Sequence, residues 1–216
     1  MKAISLNISL PQVITFHNKK EKTGFFKKAV DHSINLGLED VKDDCVIDRV
    51  NHGGKDKACY LYSHDHYDYW KQFYPALLWD YGMFGENITL SGMDESKIRI
   101  GDVYKIGSAI VQVSQPRQPC YKLGIKFGNQ KIVKEFCAAP YPGIYVRVLQ
   151  EGLVNKEDVF ELNQTSLNSM TVLEVFQLIY MKNPSKEMLI KACSDSFLAE
   201  SVRKYFLKKH ADILQQ

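Results

Sequence analysis

The chain has 216 residues, of which 45% are hydrophobic and 25% are charged, and its net charge is +3. This length fits one sizeable domain, or one domain with a small appendage. The net charge is too weak to indicate nucleic acid or an anionic membrane as a partner, and no apolar run approaches membrane-spanning length. We therefore expect a globular protein that binds neither.

Five cysteines are present, which is an odd number, and no two of them form a Cys-x-x-Cys pair. Their spacing indicates no disulfide framework, and the N-terminus alternates like a strand instead of carrying a secretory signal. We interpret the cysteines as reduced thiols and predict a cytoplasmic location.

Short runs of alternating, β-branched and aromatic residues predict strands in the first three quarters of the chain. One helix interrupts them, with Ser63 as its N-cap and Pro75 ending it. Such short, frequent strands are typical of a barrel or a sandwich, so the predicted fold class is mainly β, of the α+β type. The predicted strands are residues 2–8, 45–50, 58–61, 87–90, a hairpin over 102–113 that turns at Gly107-Ser108, 143–149 and 159–162.

From Thr165 the apolar period becomes helical. Thr171 and Glu174 fit a capping box, Ser185 caps a second helix, and Asp195 or Ser196 caps a third. We therefore predict a β domain over residues 1–163 and a small three-helix unit over 164–216. Three short helices bury little alone, so the unit is expected to dock on the β domain. It lacks the basic recognition face of a DNA-binding helix-turn-helix.

The loop after the predicted hairpin carries the strongest functional signal. Pro116 and Pro119 stiffen it, because proline fixes φ and has no N–H to donate. Arg117, Cys120 and Lys122 lie on it, and a thiol between two cations is suited to an anionic group that contains a soft metal or an electrophile. The alternative is that Cys120 is a small buried hydrophobic residue.

Two further stretches allow either a functional or a structural interpretation. His52, Gly53, Gly54 and Lys55 combine donors with a backbone that can form an anion-binding nest, although Gly-Gly is also typical of a plain turn. Asn87 offers donors and an acceptor to the edge of a heterocycle, or is simply a loop residue that enters a strand.

Two other sites are less favoured. His64 and His66 begin a predicted helix, where residues two apart diverge, so we do not favour zinc and expect His66 at the helix surface or as a cap. A Cys120–His52 nucleophile pair ranks below cofactor ligation, because no oxyanion-hole motif accompanies it.

Taken together and in order, segments 52–54, 84–87, 101–102 and 115–122 resemble the MOSC domain, named for the C-terminal part of molybdenum cofactor sulfurases. The resemblance is to its stand-alone YiiM type, which carries a C-terminal three-helix domain, and it covers nearly the whole chain. Glu157-Asp158 replaces an expected Gly-Asp, a departure that concerns a turn.

The resemblance implies a barrel-like MOSC β domain with a short inserted helix, a cleft for molybdenum cofactor (molybdopterin), and a C-terminal three-helix bundle. Cys120 would ligate molybdenum, and Arg117 and Lys122 would balance the charge of the anionic cofactor. By position in the motifs, the other candidate cofactor-binding residues are His52, Gly53, Gly54 and Lys55 at the pterin or its phosphate, Asn87 and Arg117 at the pterin ring or the metal, and Ser114 and Gln115 along the cleft.

The implied activity is molybdenum-dependent reduction of N-hydroxylated compounds, such as hydroxylamino-purines and amidoximes. No flavin, haem or iron–sulfur motif is present, so the implied electron donor is a separate reductase protein. The alternative is a non-catalytic carrier of molybdenum cofactor, or of sulfur as a Cys120 persulfide. The family is also associated with pyridoxal phosphate, but no pyridoxal phosphate domain is present, so a complete cofactor sulfurase is not expected.

Overall fold

A computed structural model describes residues 1–47, 49 and 53–215 of the chain. The strands are β1 (Lys2–Ile8), β2 (Gln12–Phe16), β3 (Lys19–Thr23), β4 (Lys28–Val30), β5 (Ile34–Leu36), β6 (Cys59–Ser63), β7 (Ile88–Ser91), β8 (Val103–Ile106), β9 (Ala109–Pro116), β10 (Ile144–Gln150), β11 (Gly152–Val154) and β12 (Glu161–Gln164). The α-helices are α1 (Tyr67–Phe73), α2 (Tyr121–Lys126), α3 (Lys131–Ala138), α4 (Val172–Tyr180), α5 (Lys186–Ser194), α6 (Glu200–Lys209) and α7 (Ala211–Gln215). None of these helices combines the length and the apolar character that crossing a bilayer would require.

Eight strands form one open, mixed sheet in the order β12-β8-β9-β10-β6-β7-β1-β4. Its neighbouring strands are antiparallel, except for the parallel pair β6 and β7. The expected barrel-like body is confirmed only in part, as a large mixed sheet with helices. Lys2 and Val159 form an isolated bridge, but no ladder joins β12 to β4 within the described ranges, so the sheet does not close there. Neither edge strand has a buried side chain, so neither offers an apolar face that would favour closure.

The predicted hairpin is confirmed as β8 and β9, and its turn lies at Gly107-Ser108, where Gly107 has a φ of +56°. Strand β9 continues past the predicted end at residue 113 to Pro116, because β10 provides a partner along its length and pairs Ile144 with Pro116. The predictions for β1, β6, β7, β10 and β12 are confirmed to within a few residues at their ends.

The strand predicted over residues 45–50 is wrong where it can be compared, because Cys45–Ile47 form no strand, and Asp48 and Val50 lie outside the described residues. A hairpin of β2 and β3 was not predicted. It turns at His17 and Asn18, which both have positive φ, a conformation that Gly more often signals in a sequence. Helices α2 and α3, directly after Cys120, were also missed.

Four helices follow residue 170 in the described chain, not the predicted three, because the chain leaves α6 at His210 and resumes as the short α7. The capping box of Thr171 and Glu174 is confirmed at the start of α4, and Ser185 caps α5. Helix α6 begins later than predicted, because Asp195 accepts a hydrogen bond from the backbone of Phe197 in a turn instead.

The C-terminal helices pack on the sheet, as expected, because buried residues of α4, α5 and α6 join the same apolar core as the strands. The division at residues 163 and 164 stays a prediction. A second, aromatic cluster fills the space between β6, α1 and α3. In it, the rings of Trp70 and Phe136 stack with centroids 5.9 Å apart. This cluster forms the base of the pocket described next.

Candidate functional site

A pocket lies where β9 ends and α2 begins, and it encloses about 660 Å³ including the space at its open mouth. Its walls come from segments far apart in the chain. The lining residues are Thr23, Gly24, Phe25, Lys27, Asp44, Cys45, Val46, Ile47, Lys57, Ala58, Tyr60, Gly85, Asn87, Arg117, Cys120, Lys122 and Tyr145.

Cys120 lies on the short irregular segment that the two prolines were predicted to stiffen. The chain leaves the sheet after Pro116, and Cys120 has an extended backbone as the residue that precedes α2. Its side chain is half-buried and lines the pocket. The structure therefore presents the thiol to a cavity instead of packing it as a fully buried hydrophobic residue.

Arg117 is only 4% exposed, and its guanidinium lies among aromatic rings. Its Cζ lies 5.1–5.4 Å from the ring centroids of Phe25, Tyr60 and Phe136. No ion pair in the described chain includes this guanidinium, and Nη1 is buried without a hydrogen-bond partner there. A buried charge normally has a partner, so this arrangement needs an explanation.

Neutral phenols do not supply that partner. Tyr60 and Tyr145 line the pocket together with Arg117. Burial raises the pKa of both tyrosines, and the positive charge of Arg117 offsets this only in part. Both phenols therefore stay protonated at neutral pH, and no carboxylate of the described residues forms an ion pair with the guanidinium.

Lys122 adds a second buried cation to the same wall. It is 7% exposed, and its Nζ lies 5.9 Å from the ring centroid of Tyr121. No ion pair of Lys122 is found among the described residues. Lys57 also lines the pocket. The pocket thus combines the thiols of Cys45 and Cys120 with several cations, a donor set that suits an anionic ligand.

A buried polar network forms the opposite wall around Asp44. Its carboxylate pairs with Lys27 and accepts hydrogen bonds from the Ser9 N–H at 2.8 Å and from Asn87 Nδ2 at 2.8 Å. Asn87 also accepts from the Tyr60 N–H at 3.2 Å. Predicted as a cofactor contact, Asn87 does line the pocket, but its amide groups mainly hold this wall together.

Several predicted residues lie away from the pocket lining. Gly53, Gly54 and Lys55 are not part of it, and His52 lies outside the described residues. Gly54, with a φ of +87°, precedes the 3₁₀ turn Lys55–Lys57, whose last residue reaches the pocket instead. A turn, the structural alternative for this stretch, is present at Lys55–Lys57, and Gly53 and Gly54 do not line the cavity.

Ser114 and Gln115 are also absent from the lining. The Ser114 hydroxyl is engaged with the backbone oxygens of Asp56 at 2.6 Å and Tyr145 at 2.8 Å. Gln115 Oε1 accepts from the Ser201 hydroxyl at 3.4 Å. Both side chains are buried in contacts between elements and support β9 from behind the site.

The histidines of the predicted helix start have other partners. His66 was expected at the helix surface or as a cap. It does occupy the N-cap position of α1, without a side-chain cap hydrogen bond. It is not at the surface, however, because it is buried and its Nε2 lies 2.8 Å from Glu95 Oε2. His64 Nδ1 lies 3.2 Å from the hydroxyl of Tyr81. Among the described residues, no group of three or more His, Cys, Asp or Glu side chains could hold a metal ion.

Comparison with known proteins identifies the family. A sequence model of the MOSC domain matches residues 48–161. The chain belongs to the MOSC domain family. The uncharacterised protein YflK of Bacillus subtilis is 37% identical to it over 211 residues, which is 98% of this chain and 95% of that protein.

Two further relatives extend the comparison of this MOSC protein. The crystal structure of YiiM from Geobacillus stearothermophilus has a TM-score of 0.81 and 30% identity, and the match covers 96% of this chain and 97% of that one. A protein of Gibberella moniliformis named reductase is 34% identical over 141 residues, which is 64% of this chain but 25% of the fungal protein. The protein is thus of the YiiM type, and one relative named as a reductase contains a matching segment.

Several residues of the MOSC pocket gave no signal in the sequence. Lys27 and Asp44 lie before the segment that the MOSC model matches, and no motif connects them. Tyr60 and Tyr145 stand in adjacent strands, β6 and β10, as directly paired residues. Strand periodicity predicted both strands, but it did not show that these two phenols face the pocket and contact Arg117.

Proposed function

We propose that this protein is a molybdenum cofactor-dependent reductase of N-hydroxylated compounds of the hydroxylamino-purine or amidoxime type, with Cys120 as the protein ligand of molybdenum. The observation that carries the proposal is the buried Arg117 guanidinium in the same pocket as the Cys120 thiol. Within the described chain its Nη1 has no hydrogen-bond partner and its charge has no ion-pair partner, which favours an anion in the cavity beside a soft ligand.

The residues present fit such a cofactor. A thiolate is a soft ligand suited to a thiophilic metal, and the pterin part of the cofactor carries a phosphate that needs cations. Arg117, Lys122 and Lys57 supply positive charge around the pocket that contains Cys120. When bound, the cofactor supplies the two-electron chemistry that no side chain of this protein can provide.

The net reaction breaks the N–O bond of a hydroxylamine, R–NHOH, and yields the amine R–NH₂ and water. It consumes two electrons and two protons. We propose a separate reductase protein as the electron donor, since the sequence has no flavin, haem or iron–sulfur motif of its own.

The protein groups position the reactants. The aromatic wall of Phe25, Tyr60 and Tyr145 limits the access of water and offers faces to a planar substrate. Arg117 and Lys122 hold negative charge at a fixed place, and the Asp44 network keeps the facing wall rigid. The reductase name of the fungal relative supports the reaction class.

Metal content and turnover together test the proposal. The chain is produced in cells supplied with molybdate, purified, and measured for molybdenum per chain, and then for reduction of a hydroxylamino-purine with reduced methyl viologen as donor. We expect about one molybdenum per chain and turnover in the wild type, and neither in Cys120→Ser, because loss of a ligand removes the metal. Cys193→Ser is the matched control, since that half-buried thiol lies on α5 and does not line the pocket.

The outcomes separate the functions. One molybdenum per chain without turnover would refute the reductase and favour a cofactor carrier. Sulfur bound to Cys120 without molybdenum, detected as an added mass of one sulfur atom, would favour a persulfide carrier. Unchanged molybdenum in Cys120→Ser would show that Cys120 is not the ligand.

A further inference from the structure

A second cavity lies beside the MOSC pocket and shares Lys27 with it. It encloses about 1060 Å³ including its open mouth. Its lining is rich in basic and aromatic side chains and contains one carboxylate, that of Asp80. The lining residues are Lys27, Lys28, Ala29, His64, Tyr67, Lys71, Trp79, Asp80, Tyr81 and Lys126.

Two of its four lysines already have partners. Lys27 pairs with Asp44, and Lys71 Nζ lies 2.9 Å from Asp68 Oδ1. Lys28 and Lys126 form no ion pair within the described chain. These two ammonium groups are therefore available to a ligand.

Lys126 is held at the cavity by its surroundings. It is half-buried on α2, and its Nζ lies 5.7 Å from the ring centroid of Phe26. Burial lowers its pKa, and the positive charge of Lys28 acts in the same direction, against the carboxylates of Asp80 and Glu86. Lys28 and Lys126 line the same cavity, so an anion bound there would have two cationic partners.

An aromatic wall faces the same space. Trp79 is half-buried, its ring centroid lies 5.8 Å from that of Tyr67, and its Nε1 donates to the backbone oxygen of Tyr74 at 3.1 Å. The Tyr81 hydroxyl lies 3.2 Å from His64 Nδ1. These contacts fix the rings, so the wall is preformed for a flat apolar group.

We infer that this second cavity binds a nucleoside monophosphate, with the base along Trp79 and Tyr81 and the phosphate at Lys28 and Lys126. A planar aromatic body that carries one phosphate matches both halves of the lining at once. Inorganic phosphate would use only the lysines, and a nucleoside only the rings. The site does not require the proposed reductase activity.

Tryptophan fluorescence can report the binding directly. The chain has two tryptophans, and Trp70 is fully buried in the aromatic cluster, whereas Trp79 lines the cavity. Adenosine 5′-monophosphate is titrated into the full-length protein at low salt, in parallel with adenosine and inorganic phosphate. We expect the monophosphate to bind about tenfold more tightly than either, because charge-assisted hydrogen bonds and stacking act together.

Variants locate the site. Lys126→Gln and Lys28→Gln are each expected to raise the dissociation constant about three- to tenfold. Lys186→Gln, an equal charge change on exposed α5, should leave it unchanged. In Trp79→Phe the fluorescence response should disappear while calorimetry still detects binding.

Three results would overturn the inference. The first is equal affinity in wild type and in the Lys28→Gln/Lys126→Gln double variant, with both folded by circular dichroism. The second is equal affinity for inorganic phosphate and the monophosphate, which would leave an anion site without base recognition. The third is loss of binding in Arg117→Met, which would place the nucleotide in the MOSC pocket instead.

Discussion

The Arg117→Met substitution tests whether Arg117 serves to bind a ligand or to stabilise the fold. In a protein without cofactor, the substitution removes a buried donor that has no partner among the described residues, and this relieves about 1–3 kcal/mol. It also ends the desolvation of a buried charge, which costs the folded state several kcal/mol. Against these gains, it removes cation–π contacts with three rings, each about 0.5–2 kcal/mol. Because the gains and the losses are of similar size, we expect a net loss of stability below about 2 kcal/mol.

Urea unfolding of cofactor-free protein, followed by circular dichroism, measures this change. For a chain of this size, 1 kcal/mol corresponds to about 2–4 °C in Tm, so Tm should fall by less than about 8 °C. In protein produced in cells supplied with molybdate, the wild type should retain molybdenum and Arg117→Met should lose it, so bound cofactor should raise the Tm of the wild type only. If Arg117→Met lowers stability by 4 kcal/mol or so, the guanidinium is a structural group and the reasoning is refuted.

Three further predictions concern the pocket walls. Lys27→Met leaves the carboxylate of Asp44 buried and unpaired, so the free energy of unfolding should fall by about 3–5 kcal/mol. If the effects of Lys27→Met and Asp44→Asn on the free energy of unfolding simply add in the double variant, the prediction is contradicted. Gly85→Ala should destabilise the protein more than Gly92→Ala. Both glycines have positive φ, +79° and +69°, but a Cβ added at Gly85 would lie 2.9 Å from a phenylalanine ring, whereas one added at Gly92 would meet open space. Equal shifts in Tm for the two variants would count against the close contact. Burial raises the pKa of Glu86 above its ordinary 4.5. The folded protein therefore holds the Glu86 proton more tightly than the unfolded chain does. The stability that Glu86 contributes should fall as pH rises from the pKa of the unfolded state to that of the folded state. Urea unfolding at several pH values should show this fall in the wild type and not in Glu86→Gln.

Local patterns predicted much of the secondary structure. The β8–β9 hairpin was found because its turn and its alternating flanks lie within a few residues. The capping box of α4 was found because Thr171 and Glu174 are three residues apart. The α2 and α3 helices were missed because Pro116 and Pro119 favour a loop. Pro119 nevertheless lies just before the start of α2, where a proline does not interrupt a helix.

The candidate site was predicted in part. Cys120, Arg117, Lys122 and Asn87 were named and line one pocket, whereas Ser114 supports it from behind. Spacing in a motif does not show which way a side chain in a strand points. The residues wrongly assigned to the pocket therefore lie on β9 and on the glycine turn. In a strand such as β9, a step of one residue moves the side chain to the opposite face of the sheet.

The stiff loop with its thiol between two cations could be predicted from local sequence, since proline geometry and side-chain chemistry are properties of neighbouring residues. The surroundings of that loop depend on long-range contacts. Lys27 meets Asp44 across 17 positions, and Asn87 reaches the same carboxylate across 43. The rings around Arg117 come from three separate segments of the chain. Contacts of this kind leave no local pattern, because chain folding, not spacing, brings their atoms together. This folding buries Arg117 in the pocket that Cys120 lines, with no ion-pair partner among the described residues.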